Sequence, residues 1–125
     1  MDGRNLFELA QWRTTEENAM HFVLLYDIVD NFAEKRTPYR DEHLARVRAS
    51  HEAGKLLLAG ALTNPVDGAM LVFRGPTAEA AEQFANADPY VTSGLVTKWR
   101  VREWATVIGD GAAMPSLSDA TGFRD

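Results

Sequence analysis

The 125-residue chain contains no cysteine. Disulfides, thiolate nucleophiles and cysteine-based zinc sites are therefore excluded, and the redox compartment cannot be read from the residues. Long apolar runs are missing too. The most apolar pieces, "FVLLY" and "LLLAGAL", fall far short of the about 20 residues that cross a bilayer, so no membrane partner is expected. Positive charge is scarce: 13 Lys and Arg against 18 Asp and Glu leave a net charge of −5. Phosphate backbones need a concentrated positive surface, so nucleic acid is not expected as a partner. The opening "MDGRNLFELAQW" has no basic segment followed by an apolar one, so no secretory leader is read and a cytoplasmic location is the default. What remains is ordinary: 46% apolar and 25% charged residues suit a packed core, and the length suits one domain.

Residues 1–19 stand apart as an N-terminal extension. Leu6, Leu9 and Ala10, with Phe7 and Trp12, suit one short amphipathic helix, and "RTTEENA" reads as a linker. From Met20 the pattern sharpens. "MHFVLLYDI" reads as a buried strand. "VDNFAEKRTP" is a loop with room for a helical turn. Thr37 is a candidate N-cap with Pro38 at the first helical position, and Gly54 closes the helix "YRDEHLARVRASHEA". "KLLLAGAL" and "AMLVFR", joined by a turn ending in Asp67-Gly68, should pair as a hairpin. "GPTAEAAEQFANA" is a second helix with Thr77 as its cap, and "TKWRVREWATVI" a fourth strand. The tail from Gly109, rich in small and polar residues, is expected to be flexible.

Over residues 20–108 the order is strand, helix, strand, strand, helix, strand. That is the split β-α-β pattern of a ferredoxin-like α+β fold, a four-stranded antiparallel sheet with two helices on one face. The second face lacks a cover, so a homodimer packed sheet to sheet is expected.

Two residues stand out for chemistry. On the first helix, Arg40, His43, Leu44, Val47 and His51 recur at helical spacing. His43 then lies at the edge of the buried stripe, half-covered and able to reach a cleft. Imidazole is the side chain best matched to proton transfer near neutral pH, although on spacing alone an idle surface or core-edge histidine is the commoner case. The stretch "NADPYVTSGLV" presents Asp88 before Pro89. Its carboxylate either caps the turn, as such residues often do, or approaches His43 and orients the ring.

Four stretches in order, "YRDEHLARVRASHEAGKLLLAGAL", "DGAMLVF", "ANADPYVTSGLV" and "VREW", resemble the YciI-like, or YCII, family over about Met20 to Val107. The resemblance implies a ferredoxin-like fold, usually a dimeric α/β barrel, and an active-site His–Asp pair that falls on His43 and Asp88. Arg40 matches the position one turn before the histidine. Dehydrochlorinase-like activity is associated with the family. The expected reaction is therefore an elimination or isomerisation of a small, aromatic or keto-acid substrate. His43 would move the proton, Asp88 would orient it and Arg40 would steady an enolate or carboxylate. Tyr90 and Ser93 are candidates to line the same cleft, with core packing as the alternative for Tyr90. No cofactor is expected. A non-enzymatic binding or accessory dimer is the rival reading, and a haem- or oxygen-using monooxygenase of the related barrel type is a third.

Other features read more plainly. Lys98, Arg100 and Arg102 alternate along the last strand and share a face with Trp104; such a row attracts an anionic substrate or forms a solvated edge. Trp104 suits a core or an interface. His21 is expected at the surface. Asp27 and Asp30 offer too few oxygens for magnesium or calcium, so no metal site is expected.

Overall fold

A computed structural model describes residues 20–112. The helix expected within residues 1–19 and most of the expected flexible tail lie outside the described residues. The elements are β1 (Met20–Ile28), α1 (Phe32–Lys35), α2 (Thr37–Glu52), β2 (Leu56–Leu62), β3 (Gly68–Gly75), α3 (Glu79–Ala87), α4 (Pro89–Thr92) and β4 (Val96–Trp104). The sheet order is β2-β3-β1-β4 and every pairing is antiparallel. This is the ferredoxin-like arrangement.

β1 is flanked on both sides, which explains the apolar run Phe22 to Tyr26 at its centre. Its even residues, Leu24 and Tyr26, face the helices and join Leu71 and Phe73 of β3 with Phe84 and Ala85 of α3 in one buried cluster. Leu24 is fully buried, so Leu24→Ala should cost about 2–5 kcal/mol. Its odd residues face the other way. Across from them stand Trp104, Arg102, Arg100 and Lys98 of β4. The basic row therefore lies on the open face of the sheet, away from the helices.

The hairpin of β2 and β3 forms as the turn residues indicate. Gly68 is there for close approach: a Cβ would sit 2.8 Å from the Tyr26 carbonyl oxygen. Gly54, at φ +80°, ends α2 in a Schellman motif, with Lys55 N–H donating to Ser50 and Gly54 N–H to His51.

Two expectations are corrected. Thr37 does not cap α2. The turn α1 runs almost directly into α2, Arg36 holds the cap position, and the Thr37 hydroxyl donates to the Glu34 carbonyl at 3.2 Å. Thr77 does accept from the Glu79 N–H at 3.2 Å, although α3 starts only at Glu79. His21 is not at the surface; it is 3% exposed. The chain beyond β4 folds back over the open face, where Thr106 Oγ1 meets His21 Nδ1 at 2.6 Å and Gly111 lies over the ring. The stretch after Asp88 forms a helical turn, α4, with Pro89 at its first position.

Candidate active site

The site is assembled where α2, α4 and β1 meet. Asp88 ends α3 and caps α4, its Oδ1 accepting from the Tyr90 N–H at 3.1 Å. The same Oδ1 lies 2.8 Å from His43 Nδ1, and Oδ2 accepts from the Tyr26 hydroxyl at 2.6 Å. Asp88 is 0% exposed. A buried carboxylate is tolerable only when hydrogen-bonded, and here two oxygens serve three donors. Because a carboxylate only accepts, the bond requires the proton of a neutral His43 ring on Nδ1. Nε2 is left with a lone pair.

Packing fixes the ring plane as well. His43 stacks on Tyr90 with centroids 3.9 Å apart and planes 14° apart, and Phe84 meets it edge-on at 6.3 Å. Phe32 meets Tyr90 edge-on at 5.1 Å. Burial, then the charge of Asp88, holds the Tyr26 phenol far above the ordinary tyrosine range, so it stays protonated and donating. Burial also pushes the Tyr90 phenol up, while the positive charges of Arg36 and Arg40 pull it back down.

Beside this network lies a cavity of about 260 Å³, walled by α2 on one side and by β2 and β3 on the other. It exists because Ala59, Gly60 and Ala61 present almost no side chain to the helix. For the same reason no residue of α2 is fully buried: Leu44 and Val47 face the cavity where a packed helix would meet the sheet.

Of the residues read as candidates, His43, Arg40 and Tyr90 line the cavity, and Asp88 lies behind the ring of His43. Ser93 does not line it. It is exposed at the end of α4, and its hydroxyl points at the Tyr90 carbonyl at 3.5 Å. The basic row on β4 does not face the cavity either, so it cannot guide a substrate there directly. Sequence reasoning missed Tyr26 and Arg36. A tyrosine on the core face of a central strand needs a partner for its hydroxyl, which was a usable sign for Tyr26. Among the described residues no group of three or more metal-ligating side chains occurs, and no helix is long and apolar enough to cross a membrane.

A model of the YCII-related domain matches residues 20–105. The chain is 33% identical to Protein YciI of Escherichia coli over 97 residues, 70% of this chain and 98% of that protein. It is 31% identical over 85 residues to an uncharacterized protein of Haemophilus influenzae, 61% of this chain and 87% of the relative. Among solved structures, 5-chloro-2-hydroxyhydroquinone dehydrochlorinase from Burkholderia phenoliruptrix, in complex with 2,5-dihydroxybenzoquinone, superposes with a TM-score of 0.60 at 18% identity, covering 70% of this chain and 95% of that one. At that identity the likeness is one of fold.

Proposed function

The chain belongs to the YCII-related family, and from that premise we propose that it is an enzyme in which His43 and Asp88 move a proton on a small aromatic or keto-acid compound. The observation that carries this reading is the division of labour on His43. Nδ1 is engaged by a buried carboxylate, and Nε2 has no partner among the described residues, on a ring that lines a cavity. That arrangement suits a general base. Nε2 takes a proton from an acidic C–H, and the electron pair left behind moves toward an adjacent carbonyl or expels a leaving group. The imidazolium so formed is stabilised by Asp88, which keeps its own charge. In an isomerisation the proton returns at another carbon. In an elimination the leaving group departs with its electrons, and the imidazolium later yields its proton to water. The dehydrochlorinase with the same fold supports the second variant by analogy only.

Phenylpyruvate, a ring keto acid with an exchangeable methylene, tests the reading. In heavy water the protein should accelerate deuterium uptake at that methylene. His43→Ala should lower the rate by about a hundred- to ten-thousand-fold while the circular dichroism spectrum stays unchanged. Equal exchange by the variant would overturn the reading.

The proposal extends to assembly. On the open sheet face Leu58 is 70% exposed, Leu62 44% and Trp104 45%. A second copy laid sheet to sheet would cover them.

A further inference from the structure

Among the described residues, the cavity lining carries two guanidinium groups and no carboxylate. Arg36, in the junction between α1 and α2, and Arg40, one turn further along, supply them. The Arg36 guanidinium sits over the Phe32 ring at 5.8 Å, and Phe32 in turn meets Tyr90 edge-on. Neither arginine has an ion-pair partner among the described residues. Asp88 does not line the cavity and already satisfies three donors. The remaining walls are largely apolar, with Leu44, Val47 and Leu71 among them. Burial raises the Tyr90 phenol, and the charges of Arg36 and Arg40 both lower it.

Size bounds the occupant. A cavity of about 150 Å³ takes a benzene, so about 260 Å³ admits one ring with a short substituent. An apolar wall selects the ring, and two unneutralised guanidinium groups select a planar anion, which they bind through paired N–H donors.

We infer that the ligand of this cavity is a single-ring acid whose carboxylate is held between Arg36 and Arg40, and that Arg36 is a specificity residue of the site. The inference rests on the reading of the cavity as a proton-transfer site: an acid anchored by the two arginines shares the cavity with His43.

Binding, measured by calorimetry, separates the two ideas from each other. The probes are phenylpyruvate and 2,5-dihydroxybenzoate, each beside its uncharged methyl ester. The wild type should bind each acid at least about tenfold more tightly than its ester, a difference of about 1.4 kcal/mol. Arg36→Gln and Arg40→Gln should each remove most of that preference and leave ester binding unchanged. Arg48→Gln, on the same helix but outside the cavity lining, should change neither and controls for net charge. Equal affinity for acid and ester in both pairs overturns the inference, as does an acid preference that survives Arg36→Gln. Failure of both acids to bind at millimolar concentration also overturns it. His43→Ala should retain the acid preference while losing deuterium exchange. If the acids bind selectively but the wild type catalyses no exchange, the anion clamp stands and the proton-transfer reading falls.

Discussion

Asp88 answers to three donors with two oxygens, so changing it disturbs three residues at once. Asp88→Asn keeps the shape but offers one acceptor oxygen where there were two. Part of the network is then unsatisfied, and stability should fall by about 1–3 kcal/mol in urea denaturation. The same change should release the histidine tautomer: nitrogen NMR should report the Nδ1–H form of His43 in the wild type and a mixture in the variant. Tyr26 gives a pH signature. Its phenol is held above its unfolded value of about 10. A group that is raised in this sense contributes its full stabilisation below the unfolded value, and the contribution is lost as pH climbs beyond it. Stability should therefore hold steady up to about pH 10 and decline at higher pH. Tyr26→Phe should be less stable at neutral pH, because Asp88 loses a donor, and its alkaline decline should be shallower. Tyr90, raised mainly by its own burial, keeps that decline from vanishing. Neither the Tyr26–Asp88 bond nor the His43–Asp88 bond can be read from spacing alone. The partners are 62 and 45 residues apart, and the packing of α2 and α4 beside β1 brings them together.

At the level of elements, the clearest sequence was the most constrained. The ends of β1 follow from an apolar run, and the hairpin from its Asp-Gly turn. The region around α1 was harder, because Arg36 belongs to the end of one helix and the start of another. A side-chain cap has no role where no free helix end exists, which is why Thr37 misleads. The helical spacing along α2 marks a buried stripe, yet none of its residues is fully buried, because a helix over a cavity buries less than a helix over a packed sheet. The small residues of β2 are what keep that space open. Ala59→Leu should fill it and abolish binding of ring acids, with a melting temperature equal to or above that of the wild type. Retained binding in that variant would mean that the ligand sits elsewhere.

For the molecule as a whole, the second face of the sheet decides the assembly. Sedimentation at micromolar concentration should give twice the chain mass, and Leu58→Glu should return a folded monomer. A monomeric wild type would remove the need for a second copy. His21 illustrates what only the whole molecule determines. As the opening residue of a strand it reads as exposed, yet its strand lies inside the sheet and the distant Thr106 and Gly111 close over it. That closure has a practical side. The matched domain ends at residue 105, but an expression boundary drawn there would strip the cover from a central strand and expose an imidazole that the fold keeps dry. A reporter or affinity handle joined directly after Ala112 would emerge over the open sheet face and compete with a second copy for it. For anyone engineering this protein, the safer attachment point is the turn between β2 and β3, where residues 63–67 are exposed and neither the cavity lining nor the cover over His21 is touched.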